Sequence, residues 1–284
     1  MQIPIVFITD NNYALPTGVA ITSLIINKKP ETKYKIHIIV TNEVTAENKE
    51  KLLASAKENA SIELIEVDTG FLEKYKNNKH PVPPCGLLKY KIPSFFSQYE
   101  KIIYLDGDIF IKDDLTDFFK IDIKNFYLSA VSDFPTNNKW CFSYKRLYLN
   151  DYFNSGVLLI NSKLMIENNF EELAFRLKKE NTDLNLFMDQ DIFNLAAREK
   201  VLFCHVKYNA LVNIYKLYFD NEIKEFNMHY NTLYNSYDEL YNDAVILHFA
   251  ANKPWKDKKA FYFNEWFEYF KKSSFKDEEL NLEN

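Results

Sequence analysis

Asp106-Gly107-Asp108-Ile109-Phe110 follows the apolar run Ile102-Ile103-Tyr104-Leu105 and sets two carboxylates one residue apart at the end of what reads as a buried strand. In extended backbone, residues i and i+2 share a face, roughly 6.6 Å apart at ~3.3 Å per residue. Gly107 between them has no side chain and lets another group approach closely. Two such carboxylates repel unless a proton or cation lies between them. A hard divalent cation suits oxygen ligands. A phosphorylated substrate is then the natural partner, because the metal neutralises its charge. Acidic residues also end strands as plain turn formers, so other residues must discriminate.

Four more polar clusters supply the context. Asp10-Asn11-Asn12 follows the apolar run Ile3–Ile8. Asn154-Ser155-Gly156 opens the run Val157-Leu158-Leu159-Ile160, where backbone and an amide could approach a sugar. Asp189-Gln190-Asp191 opens a helical stretch; carboxylates there also simply complement a helix dipole. His248 ends another apolar run and is followed five residues later by Lys253, then Pro254 and Trp255. A lone histidine is commonly a packed, hydrogen-bonded residue. A lysine can meet a phosphate as a point charge.

The elements that must carry these clusters alternate. Strands are predicted at Ile3–Ile8, Lys35–Val40, Ile62–Val67, Ile102–Leu105, Phe126–Val131, Gly156–Ile160, Val201–Val206 and Val245–Phe249. Helices are predicted at Pro16–Asn27, Ala46–Asn59, Leu87–Ser97, Lys163–Lys179, Asp189–Glu199 and Asp257–Lys272. Thr45 and Asn161-Ser162 are candidate caps. The alternation predicts an α/β fold with a mostly parallel central sheet flanked by helices. Ligands of such sheets bind at the carboxyl ends of strands, where Asp10 and Asp106–Asp108 fall. Residues 208–241 mix aromatics with Asn, Asp and Glu and read as an irregular, partly helical cover able to carry acceptor specificity.

Composition narrows the classes. Of 284 residues, 47% are hydrophobic and 26% charged, which is enough for a sizeable core. Lys plus Arg number 35 against 40 Asp plus Glu, a net charge of −5 that gives no general attraction to nucleic acid. The three cysteines, Cys85, Cys141 and Cys204, are scattered and form no C-x-x-C pair, which argues against a disulfide framework and against zinc-type spacing. No G-x-G-x-x-G or P-loop occurs. No signal-peptide pattern opens the chain and no apolar run reaches the ~18 residues of a spanning helix, so a cytoplasmic location is expected.

In order, Asp10-Asn11-Asn12-Tyr13, Tyr104-Leu105-Asp106-Gly107-Asp108, Phe153 to Asn161, Asp189-Gln190-Asp191 and His248 to Trp255 resemble the motifs of glycosyltransferase family 8, retaining metal-dependent enzymes of the GT-A fold that include bacterial lipooligosaccharide galactosyltransferases and glycogenin. The resemblance spans Phe7 to about Trp255. It implies Mn²⁺, with Mg²⁺ as the alternative, on Asp106, Asp108 and His248; imidazole in the set suits manganese better. It implies donor contacts from Asp10, Asn12, Lys89, Gly107, Asn154, Ser155, Gly156, Asp189, Gln190 and Lys253. Gln190 would stand beside the anomeric carbon, Asp189 on the sugar hydroxyls, and Asp191 is the remaining candidate nucleophile. The donor implied is UDP-galactose or UDP-glucose, and the acceptor a glycan hydroxyl, lipid-linked as in lipopolysaccharide.

Two departures stand out. Lys89 takes the place where the family commonly has an arginine and cannot make the same bidentate contact. Ala250-Ala251 replaces the family's glycine in a loop one residue shorter, which bears on the reach of Lys253. Residues 1–255 read as the catalytic domain and 256–284 as a C-terminal helix and tail. Residues 256–276 carry eight aromatics and six lysines against three acidic residues, a pattern suited to peripheral contact with the inner face of a membrane, or to packing on the domain. The tail from Asp277 is expected to fray. Other readings are a UDP-glucose-dependent glucosyltransferase acting on protein or polysaccharide, a haloacid-dehalogenase-like phosphatase, and an inactive sugar-nucleotide-binding protein.

Overall fold

The computed structural model describes residues 2–57, 59–75, 84–133, 151–181, 188–212, 214–280 and 282. Its strands are β1 (Gln2–Thr9), β2 (Lys33–Thr41), β3 (Ala60–Val67), β4 (Lys101–Leu105), β5 (Ile109–Ile111), β6 (Leu128–Ser132), β7 (Phe153–Asn161), β8 (Val201–Phe203), β9 (Ala210–Leu211) and β10 (Ile246–His248). The helices that frame the site are α1 (Ala14–Ile26), α2 (Ala46–Ala54), α3 (Met188–Ala196) and α4 (Phe263–Phe270).

Seven strands form one sheet in the order β3-β2-β1-β4-β7-β6-β8, and β5-β10-β9 form a second. In the large sheet β7 alone runs against its neighbours β4 and β6; the other pairings are parallel. β1, β2, β4 and β7 read as near-continuous apolar runs because both faces are covered: Ile5, Phe7, Ile103 and Leu159 join one core layer, Val6, Tyr104, Leu158 and Ile160 the other. Reversal of β7 has a functional consequence. Its first residues, Asn154 to Gly156, arrive at the same sheet edge as the last residues of β1 and β4.

All eight expected strands form, though β8 ends at Phe203. β5 and β9 escape a periodicity reading because they are three and two residues long. Thr45 caps α2, accepting from Asn48 N at 3.2 Å, and Asn161 accepts from Leu164 N at 3.0 Å. Four expected helices are corrected. Ala46–Asn59 stops at Ala54, since β3 starts at Ala60. Leu87–Ser97 is a 3₁₀ turn, Pro84–Lys91, followed by a single α turn, Ile92–Phe95. Lys163–Lys179 is broken where Asn169 takes a left-handed φ of 52°. Asp257–Lys272 contracts to α4. Residues 208–241 contain more helix than expected, at Ile214–Asn221, Ile223–Tyr230 and from Tyr237 onward.

The C-terminal segment packs on α1. Trp266, Phe270 and Phe275 are buried in the same layer as Ile5 and Leu24. The tail is held rather than frayed through Leu280: Glu278 pairs with Lys51, and Leu280 packs on that layer. No helix among the described residues is long and apolar enough to cross a membrane. Cys85 and Cys204 are free thiols; Cys141 lies outside the described residues.

Candidate active site

Strand register builds the site. Leu105 pairs with Val157 across β4 and β7, so the next residue, Asp106, bonds through its N–H to the Gly156 carbonyl at 2.8 Å. The chain turns through Gly107 and re-enters as β5, where Ile109 pairs with His248 of β10. The Phe249 N–H then donates to the Asp108 carbonyl at 2.9 Å. These two registers put Asp106, Asp108 and His248 together: one ligand atom from each lies within 4.8 Å of the others.

Two glycines make the convergence sterically possible. A Cβ on Gly156 would stand 2.3 Å from His248 Cε1 and 2.8 Å from an Asp106 carboxylate oxygen. A Cβ on Gly107 would stand 2.3 Å from the Thr17 hydroxyl of α1. Donor chemistry and spacing fit a divalent cation. Two carboxylates and an imidazole converge, and His248 Nε2 faces Asp108 Oδ1 at 3.3 Å.

Two lysines balance the acid. Lys89 is buried, with Nζ 2.7 Å from Asp189 and 3.1 Å from Asp106. It also donates to the Ser155 carbonyl and hydroxyl at 3.3 and 3.4 Å. Burial alone would lower its pKa, but Asp106 and Asp189 outweigh burial and raise it, so Lys89 is a fixed cation. Lys253 Nζ lies 2.5 Å from Asp108 Oδ2, so the loop through Ala250-Ala251 delivers its ammonium to the cluster. Burial pushes the Asp108 carboxyl up. His248 and Lys253 outweigh burial and hold it well below the usual carboxylate range. The Tyr104 hydroxyl donates to Asp106.

α3 closes another side. Asn194 clamps it to β7, accepting from Phe153 N at 2.8 Å and donating to the Phe153 carbonyl at 2.9 Å. Ser155 then donates its hydroxyl to Asp189 at 3.1 Å and its N–H to Gln190 Oε1 at 3.0 Å. Gln190 Nε2 reaches Asp133 at 3.4 Å. Asp191 points elsewhere: it is 1% exposed and accepts from the Tyr152 hydroxyl at 2.5 Å.

Lys89, Asp106, Gly107, Asp108, Asn154, Ser155, Gly156, Asp189, Gln190, His248 and Lys253 thus meet at one edge. Asp10 flanks them, accepting from Tyr13 N at 2.9 Å. The Tyr13 ring meets Trp255 edge-on at 5.9 Å. The Tyr13 hydroxyl has its pKa raised by burial and by the nearby Asp108, Asp106 and Asp10. Asn12 is exposed, and among the described residues it bonds to none of the cluster. Sequence reasoning missed Asn209 and Asp133, and it quoted Tyr104 in its motif without giving it a role. Asn209 carried a faint signal, a lone amide between Tyr208 and the apolar Ala210-Leu211 pair.

Comparison with known proteins shows the family and the fold that carry this geometry. The family model for glycosyl transferase family 8 matches residues 4–259. General stress protein A of Bacillus subtilis (strain 168) is 26% identical over 277 residues, 93% of this chain and 92% of that protein. A lipopolysaccharide 1,2-glucosyltransferase of Escherichia coli is 29% identical over 260 residues, 87% of this chain and 71% of that protein. The crystal structure of galactosyltransferase LgtC with donor and acceptor sugar analogs has the same fold, with a TM-score of 0.78 at 22% identity over 95% of this chain and 96% of that one. The fold is GT-A.

Proposed function

The chain belongs to glycosyl transferase family 8 and is a glycosyltransferase, and from that premise we propose that it is a retaining hexosyltransferase that moves galactose or glucose from a UDP-sugar to a glycan hydroxyl. The observation that carries this reading is the convergence of Asp106, Asp108 and His248 within 4.8 Å, flanked by the ammonium groups of Lys89 and Lys253. Three anionic or lone-pair ligands beside two cations suit a diphosphate bridged to a metal. Imidazole among the ligands favours manganese over magnesium.

In this reading Asp106, Asp108 and His248 hold the cation, which when bound would neutralise the diphosphate and ease its departure. Lys253 adds a second positive charge for the leaving group, since a flexible lysine can follow a phosphate. Asp10 and Asn12 take the nucleoside end. Asp189, oriented by Lys89 and the Ser155 hydroxyl, accepts from sugar hydroxyls, and Asn154, Ser155 and Gly156 line the sugar.

Positive charge develops at the anomeric carbon as the leaving group departs. Gln190 is an oriented dipole, held at Oε1 by Ser155 N–H and at Nε2 by Asp133. Neither carboxylate beside it is free to act as a nucleophile: Asp189 is paired with Lys89, and Asp191 is buried under Tyr152. This favours attack by the acceptor hydroxyl on the same face from which UDP leaves. A lipid-linked glycan acceptor is proposed by analogy with the lipopolysaccharide enzymes of the family. Peripheral membrane contact through the exposed lysines of residues 256–276 would accompany it.

The deciding experiment measures UDP release from UDP-galactose and UDP-glucose, with Mn²⁺ or with EDTA. Release that requires Mn²⁺ and disappears in Asp108→Ala supports the reading. No release from either donor, or release indifferent to EDTA, rejects it.

A further inference from the structure

Asn209 is fully buried beside the metal cluster, just ahead of β9, and its amide joins two functional residues. Its Oδ1 lies 2.9 Å from His248 Nδ1 and its Nδ2 lies 2.8 Å from Asn154 Oδ1. Asn154 Oδ1 also accepts from the Gly156 N–H at 3.0 Å.

One backbone proton orients the whole chain. The Gly156 N–H can only donate, so the Asn154 atom that meets it is the carbonyl oxygen. That oxygen can only accept, so the Asn209 atom that meets it is the amide nitrogen. The other end of Asn209 is therefore its oxygen, and His248 Nδ1 must carry a hydrogen. In neutral imidazole this leaves the lone pair on Nε2, which faces Asp108 Oδ1 at 3.3 Å. At the other end, both contacts of Asn154 fall on its oxygen. Its Nδ2 engages no acceptor among the described residues and is what Asn154 has left to offer a ligand.

We propose that Asn209 is a positioning residue for two groups at once. It fixes His248 as the tautomer that ligates through Nε2, and it holds Asn154 so that a hydrogen-bond donor, not an acceptor, is presented to the substrate. Histidines that ligate metals commonly donate their other nitrogen to such a partner. Asn209 differs from a simple partner because the same amide also sets Asn154. The half concerning His248 needs only a metal-binding site. The half concerning Asn154 rests on the nucleotide-sugar reading above.

The two halves separate by substitution. Asn209→Ala removes both contacts. Asn209→Asp keeps an acceptor for His248 Nδ1–H but cannot donate to Asn154. Long-range ¹⁵N NMR of the metal-free protein, recorded at a pH high enough that the His248 ring is neutral and with its resonances identified by their loss in His248→Gln, should show the Nδ1–H tautomer in the wild type. Free-Mn²⁺ EPR titration, without donor, should give affinity about 10–100-fold weaker in Asn209→Ala and within a few-fold of wild type in Asn209→Asp. Donor KM should rise about tenfold in Asn209→Asp with kcat little changed, as expected for losing one hydrogen bond.

An Nε2–H tautomer in the wild type, or unchanged Mn²⁺ affinity in Asn209→Ala, overturns the first half. Unchanged KM in Asn209→Asp overturns the second. The NMR result is read on the wild type and does not depend on either Asn209 variant folding. If the wild type releases UDP from no donor, the function reading fails while the tautomer and Mn²⁺ measurements still judge His248.

Discussion

Lys89 Nζ lies 2.7 Å from Asp189 and 3.1 Å from Asp106, so one buried ammonium joins the carboxylate at the end of β4 to the first turn of α3. The pairing spans the site and keeps two carboxylates that would otherwise repel in one pocket. Removing one partner of a buried pair leaves uncompensated charge. Lys89→Met should therefore destabilise the metal-free protein by about 3–5 kcal/mol, read by urea unfolding in EDTA. Mn²⁺ should recover part of the loss, because it neutralises Asp106. An unfolding midpoint unchanged from wild type would refute the bridging role.

Gly156 has its own test. Both atoms that an added Cβ would strike belong to proposed ligand residues, His248 and Asp106. Overpacking of this kind costs about 1–3 kcal/mol in stability, but displacing the ligands should matter more. Gly156→Ala should fold, with a modest drop in melting temperature, and should bind Mn²⁺ at least about tenfold more weakly by calorimetry, as when a ligand's supporting contacts are lost.

Asp108 sets a pH expectation. Its carboxyl is held below the usual range by His248 and Lys253 in spite of burial. A group with a depressed folded pKa stabilises the fold above its unfolded value, near 4, and loses that contribution as pH falls towards the folded value. The melting-temperature gap between wild type and Asp108→Asn should be constant from pH 7 down to about pH 5 and shrink at lower pH. A gap that closes between pH 7 and 6 would contradict it.

Cys85 should be a slow thiol. Burial, then the nearby Asp10 and Asp189, push its pKa up to about 12, and burial does the same to Cys204. Only the thiolate reacts quickly. Residue-resolved mass spectrometry after iodoacetamide treatment at pH 7.5 should find both largely unmodified under conditions that alkylate a free cysteine peptide.

The C-terminal segment should be needed for stability. The Phe275 ring lies where a Cβ on Gly18 would stand, 2.4 Å away, so α1 and the segment are in direct backbone-to-ring contact. Phe275→Ala should cost about 3–5 kcal/mol by chemical denaturation. A chain ending at residue 259 should aggregate, since Trp266 and Phe270 leave the core with it.

Local pattern was enough for eight of the ten described strands, for the caps at Thr45 and Asn161, and for the polar clusters, because alternation, capping chemistry and short motifs are properties of neighbouring residues. Helix ends were less legible. The break at Asn169 rests on asparagine's tolerance of the left-handed region, a signal the periodicity reading passed over, and the early stop at Ala54 is set by the start of β3 at Ala60. β5 and β9 were invisible, being too short for any period, yet β5 and β10 bring His248 to Asp108. Lys89, Ser155 and Asp189 were each readable as candidates, but their mutual bonds arise because β7 runs antiparallel and delivers its first residues to the edge where β4 ends. Asn209 shows the limit most clearly. One amide in an aromatic-rich stretch says nothing of its neighbours in space; only the fold surrounds it with His248 and Asn154, and only a buried donor–acceptor chain decides which way each amide and imidazole must face.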